Sequence, residues 1–192
     1  MKSVRALWAA GLFVLVAGLL SACTPTYDWR SVADESQGWQ ALFPGKPAMV
    51  ERTISMRIGQ EERSVTLMLR AVRIQEQTFT VGVAKFVNPA HNTNLKGLAE
   101  SLRQSRIQNI RGEVITPTKT KADTEASESA MGLVTAKGQI QLKPNAAPVA
   151  ATLMTFSKLY RDQVIEAIVV GPAEGFHQEA AQQFLESLRI GF

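Results

Sequence analysis

The stretch VERTISMRI, residues 50–58, and the stretch SVTLMLRA, residues 64–71, decide the fold of this chain. In both stretches apolar and polar side chains alternate, which is the period of a β-strand with one face in water. Residues 59–62 form a polar turn between them, and residues 75–77 form the next turn before a third strand that contains Phe79 and Val83. Three strands joined by short turns predict an antiparallel meander that leaves one face solvated.

The period changes to that of an amphipathic helix over residues 95–110. Leucine, isoleucine and alanine side chains fall on one stripe of this helix, and the pattern places Arg103 and Arg106 outside that stripe. An Asn or Thr among residues 92–94 caps the start of the helix, and Gly112 ends it. The first element after the meander is therefore predicted to be a helix that packs on the sheet.

The remaining pattern predicts one α+β domain over residues 39–192, built on an antiparallel sheet of six to seven strands with helices packed on its faces. A closing helix follows from the apolar stripe of residues 176–188, and residues 189–192 form a short tail. Pro117 marks its strand as an edge strand or a bulge. The other predicted strands are residues 39–43, 113–120, 131–142 (weak and interrupted by Gly138), 151–161 and 163–170.

The first 22 residues have the layout of a secretory signal. Lys2 and Arg5 supply positive charge, and the uncharged stretch of residues 6–20 supplies the apolar region. Leu20-Ser21-Ala22-Cys23 closes this stretch and resembles the lipobox of bacterial lipoproteins. That resemblance implies cleavage before Cys23, a lipid on its thiol and attachment to a membrane through that lipid. The alternatives are an uncleaved membrane helix and a cleaved soluble form. A membrane helix is possible because residues 6–23 just reach the length that spans a bilayer.

Residues 23–38 are predicted to be the lipidated cysteine and a flexible tether, because they are polar and have no helical or strand period. Tyr27 and Trp29 have two open placements, in the lipid headgroup zone or against the domain surface. Thr24 stands where enteric-type lipoproteins retained at the inner membrane carry Asp. By that resemblance we expect the periplasmic face of the outer membrane, with the inner membrane as the alternative.

Charge and composition argue against a nucleic-acid partner. The formal net charge is +4, from 21 Lys and Arg against 17 Asp and Glu, and removing Lys2 and Arg5 with the signal lowers it to +2. The remaining basic residues are scattered and form no polybasic block. Cys23 is the only cysteine, so no disulfide is expected within the chain.

No catalytic, metal or cofactor motif follows the signal. His91 and His177 are the only histidines, lie 86 residues apart and have no metal-ligand spacing, so His177 is expected to have a surface or capping role. The sequence contains no G-x-S-x-G turn that would expose a nucleophilic serine. We therefore expect no enzyme activity, no catalytic residue, no metal and no cofactor, and the site prediction is lipidation at Cys23.

Three segments resemble PsbP-like domains. They are the strand and turn of residues 39–47 (WQALFPGKP), the hairpin of residues 160–171 (YRDQVIEAIVVG) and the ending at residues 184–190 (FLESLRI). The resemblance spans residues 39–192 and implies an antiparallel sheet with helices on its faces. Most proteins of that family are binding or assembly modules, and none of the photosystem members' functional residues can be placed on this chain.

The expected function is that of a non-enzymatic binding or accessory lipoprotein in the cell envelope, with an envelope protein as partner. The alternative is a periplasmic lipoprotein that binds a small ligand or lipid in a cavity between sheet and helix. Such a cavity would be lined by residues such as Leu67, Leu69, Phe156 and Phe184, which are otherwise ordinary core residues.

Overall fold

A computed structural model describes residues 26–117 and 130–191. This part of the chain contains ten strands, two α-helices and a 3₁₀ turn at Pro89–Asn94. The strands are β1 (Arg30–Asp34), β2 (Trp39–Phe43), β3 (Ala48–Ile58), β4 (Glu61–Ile74), β5 (Gln77–Phe86), β6 (Glu113–Pro117), β7 (Ala130–Ile140), β8 (Val149–Tyr160), β9 (Gln163–Pro172) and β10 (Arg189–Ile190). The helices are α1 (Leu95–Asn109) and α2 (Gln178–Glu186).

Seven strands form one antiparallel sheet in the order β3-β4-β5-β9-β8-β7-β6, and β1, β2 and β10 form a second sheet. The predicted α+β class, the large antiparallel sheet and the two packed helices are confirmed. The meander continues from β3 to β5, after which β9 pairs with β5 across a long stretch of sequence.

One face of the large sheet, here called the closed face, is covered by the small sheet and α2. Phe184 of α2 is fully buried there between Phe43 of β2 and Phe79 of β5. Its ring centroid lies 5.1 Å from that of Phe43 and 5.6 Å from that of Phe79, both in edge-to-face geometry. These contacts join the small sheet, the helix and the large sheet in one core.

Helix α1 packs on the other face of the large sheet, here called the open face. The Asn94 side chain accepts a hydrogen bond from the Gly97 N–H and caps the start of the helix, as predicted. At the other end, the Ile110 carbonyl accepts a hydrogen bond of 2.6 Å from the Gln139 N–H. A Cβ on Gly138 would lie only 2.2 Å from the Ile110 carbonyl oxygen. Gly138 therefore does not interrupt β7 but lets the end of α1 approach it.

The prediction of a flexible tether over residues 23–38 is wrong for residues 30–34. These residues form β1, which pairs with β2 along its whole length. Tyr27 and Trp29 pack against the closed-face core, which decides between their two predicted placements. The fold therefore begins before Trp39. The segment has no strand period because its side chains lie on the edge of a small sheet and bury little surface.

Residues 189–190 are likewise not a free tail, because β10 pairs with β2 opposite β1. The prediction for Pro117 is confirmed, because β6 is an edge strand and its register shifts between Val114 and Thr116. The rest of the strand predicted at 113–120 lies outside the described residues, as do the signal and Cys23.

Candidate binding surface

Within the described residues, the open face is only partly covered, because a single helix crosses a seven-stranded sheet. Leu98 and Leu102 of α1 share a buried cluster with Val65 of β4 and Phe86 of β5. Past the end of the helix, Ile110 packs near β7 and β8. The helix thus runs obliquely and leaves a groove of about 220 Å³ beside its last turns. The groove is lined by Leu69, Thr80, Arg106, Asn109, Ile110, Leu153, Ile168 and Val170.

A buried ion pair lies beside this groove. Arg106 of α1 contacts Glu166 of β9, with 3.2 Å between Nη2 and Oε2. The Glu166 side chain is 2% exposed and that of Arg106 is 19% exposed. Burial raises the pKa of Glu166 above its ordinary value, and the charge of Arg106 offsets this only in part.

The surroundings of Glu166 are polar but incompletely hydrogen-bonded. Ser157 stands opposite Glu166 in the ladder on one side, and Gly82 stands opposite on the other. Within the described part of the chain, neither Glu166 Oε1 nor Thr155 Oγ1 has a hydrogen-bond partner. A Cβ at Gly82 would lie 3.1 Å from Leu69 Cδ2, so the glycine gives room to the leucine that lines the groove.

The sequence pattern missed this pair. Arg106 was expected on the outer side of its helix, but the structure turns it toward the sheet, where Glu166 is the one acidic residue of the central strand β9. The signal that points to it is that acidic residue, because a carboxylate in a buried strand needs a cationic or hydrogen-bonding partner. The sequence does not say which of the nearby arginines supplies it.

The ligand cavity predicted from Leu67, Leu69, Phe156 and Phe184 does not form from those residues. Leu67 and Leu69 lie on the open face, whereas Phe156 and Phe184 belong to the core of the closed face. Of the four, Leu69 lines the groove beside α1. Phe156 lines a separate shallow groove beside Leu185 and Leu188 of the closed face.

The two histidines lie in separate surroundings. His91 is in hydrogen-bond contact with Arg63, at 3.0 Å, and its ring stands edge-on to Phe86. His177 is the residue before α2, but its side chain makes no capping bond and instead contacts Gln75 Oε1 at 3.1 Å. Among the residues that the structure describes, no three His, Cys, Asp or Glu side chains are grouped so that they could hold a metal ion.

The surface around the groove extends to the outer strand of the sheet. Val50 of β3 stands opposite Leu69 of β4 in the ladder, and its side chain is 45% exposed. Strand β3 pairs only with β4 among the described strands. The groove and the free edge of β3 are therefore neighbouring parts of one exposed region.

No protein-family model matches the chain. No curated protein matches it. Within residues 26–117 and 130–191, no helix is long and apolar enough to cross a membrane. The resemblances to bacterial lipoproteins and to PsbP-like domains stay predictions.

Proposed function

We propose that this protein is a lipoprotein anchored through Cys23 at the periplasmic face of the outer membrane, where its domain acts as a non-enzymatic binding or accessory module. The signal pattern of residues 1–22 and the lipobox resemblance support the anchor. The PsbP-like resemblance supports a binding role. The observation that carries the binding role is the groove beside α1, because sheet faces are normally covered and an apolar surface left open is typical of an interaction site.

The anchor holds the domain close to the bilayer. The N–H of Asp28 donates a hydrogen bond of 3.1 Å to the Pro44 carbonyl, so the chain is attached to the fold from that residue onward. Asp28 is five residues after Cys23, and at about 3.6 Å per extended residue this allows a reach of about 18 Å. The N-terminal end of the fold would therefore lie within about 18 Å of the lipidated cysteine.

The groove favours a protein partner with an apolar side chain or short segment that enters between α1 and the sheet. A second candidate is an amphiphilic small ligand or lipid, because the same groove has apolar walls and one arginine at its margin. The two candidates share the groove and differ in what occupies it.

Site-specific photocrosslinking in cells tests this proposal. A photoreactive amino acid replaces Thr80 in the groove, and the matched control replaces Val87, which is 54% exposed and lies beyond the end of β5. We expect one envelope protein to be crosslinked at position 80 and absent at position 87. Equal patterns at both positions would contradict the role of the groove, and a stoichiometric lipid extracted from the purified protein would favour the second candidate.

The anchor has its own test. Cells that express the wild-type chain or the Cys23→Ala variant are labelled with a palmitate analogue. We expect label on the wild-type protein alone, and equal labelling of both would refute lipidation at Cys23.

A further inference from the structure

The two edges of the large sheet differ in how open they are to pairing. Strand β6 has five residues, ends at Pro117 and carries a register shift, all of which hinder the addition of another strand. Strand β3 has 11 residues, contains neither Pro nor Gly, and keeps a regular register with β4 throughout. Residues 48–53 of β3 are all exposed. A long, regular, uncovered edge is a template for a further strand.

We propose that a second copy of this chain pairs with β3 antiparallel, so that two large sheets join across a two-fold axis at Ile54. In such a pair, two residues stand opposite each other on the same face when their numbers sum to twice the number of the residue on the axis. Glu51 then stands opposite the partner's Arg57, and Arg57 opposite the partner's Glu51. The occupant is a second copy because this strand is complementary to itself.

The charges select this register. The side chains of Glu51 and Arg57 form no ion pair with the described residues, although Arg57 stands opposite Glu62 in the ladder. Moving the axis to Thr53 puts Glu51 opposite the partner's Ser55, and moving it to Ser55 puts Glu51 opposite the partner's Gly59. Only the axis at Ile54 brings both charges together, and symmetry does so twice.

On the open face of the same register, Arg52 stands opposite the partner's Met56, and the other opposed pairs are apolar. Ile54 faces its own copy at the axis, and the exposed Val50 stands opposite the partner's Ile58. Helix α1 also lies against β3, where Ile54, Met56 and Ile58 pack with its buried residues, whereas residues 48–53 of the strand are all exposed. Because β3 pairs with no described strand other than β4, its outer backbone edge is free for the second copy.

Charge exchange tests the proposal on the full chain, in sedimentation equilibrium with the buffer density matched to the detergent. We expect a dimer for the wild type and a dissociation constant at least tenfold weaker for Glu51→Arg or Arg57→Glu, since each places like charges opposite one another. The double variant Glu51→Arg/Arg57→Glu restores the opposite charges and should dimerise like the wild type. Arg52→Glu is the matched control, because Arg52 faces the partner's Met56, and it should change little.

Disulfide crosslinking tests the register independently. A cysteine at position 54 would have its copy about 4.5–5.5 Å away between Cα atoms, within the range of a disulfide. We expect Ile54→Cys to form a crosslinked dimer under mild oxidation, whereas Met49→Cys, more exposed but off the axis, and the wild-type chain do not. A protein that is monomeric at every concentration, a double variant that is not restored, or equal crosslinking at positions 49 and 54 would overturn the proposal.

Discussion

The two faces of the large sheet are built from the same strands but are covered very differently. The closed face carries α2 and the whole small sheet, and its core includes four aromatic residues that are almost fully buried: Trp39, Phe43, Phe79 and Phe184. The open face carries one helix, a groove and the buried pair Arg106–Glu166. A face that is closed with aromatic packing contributes stability, and a face left partly open with polar groups beneath it is available for binding.

The largest expected effect lies at the centre of the closed face. Phe184→Ala removes a ring that contacts both Phe43 and Phe79, and we expect it to lower the free energy of unfolding by about 3–5 kcal/mol. Leu69→Ala, on the half-buried margin of the groove, should cost less than half of that. Urea unfolding of both variants measures the difference, and equal losses would remove the distinction between the faces.

The next effect concerns the N-terminal cover of the closed face. A chain that starts at residue 39 lacks β1 together with Tyr27 and Trp29, whereas one that starts at residue 26 keeps them. We expect the shorter chain to be less stable by about 2–3 kcal/mol, because it also lacks Val32 of β1, and the three half-buried side chains each contribute about 1 kcal/mol. Thermal and urea unfolding of the two chains decides this. If both chains unfold at the same midpoint, β1 contributes nothing to the stability of the closed face.

The buried carboxyl of Glu166 on the open face should make the free energy of unfolding depend on pH. Because the pKa of Glu166 is raised in the folded state, its contribution is most favourable below the unfolded-state value of about 4.5 and is lost as pH rises through the folded pKa. Wild-type stability should therefore fall with rising pH relative to Glu166→Gln, which carries no charge there. Unfolding free energies of both proteins across this pH range are the measurement. Curves that stay parallel would show that the pKa is not raised.

The smallest effect is expected at the link between the small and large sheets. Burial pushes the pKa of Asp34 upward, but hydrogen bonds from Ser36, Arg70 and Gln37 outweigh it, so the pKa is lowered. Asp34→Asn weakens the contact with Arg70, 3.2 Å long, and should cost about 0.5–1 kcal/mol at neutral pH. The difference between variant and wild type should shrink as pH falls through the folded pKa, since Asp34 is then protonated. A difference that grows in acid would contradict this sign.

Much of the fold was predictable from local pattern, and the binding surface was not. The alternation in residues 50–58 and 64–71 predicted β3 and β4, and the cap expected among residues 92–94 is Asn94 at the start of α1. The cavity predicted from Leu67 and Phe156 failed because side-chain parity places them on opposite faces once β4, β5, β9 and β8 are in register. That register joins strands far apart in sequence, which no local pattern specifies.

The sequence by itself determined the antiparallel meander, both helices, the placement of Pro117 in an edge strand or a bulge, and the lipobox resemblance, because each depends on side chains within a few residues of one another. Only the tertiary structure decided that β1 and β10 form strands, which of the two faces is closed, and that Arg106 meets Glu166. Strands of five and two residues are stable only when a neighbour satisfies their backbone hydrogen bonds. A buried carboxylate, likewise, takes whichever cation the packing of distant elements brings within reach.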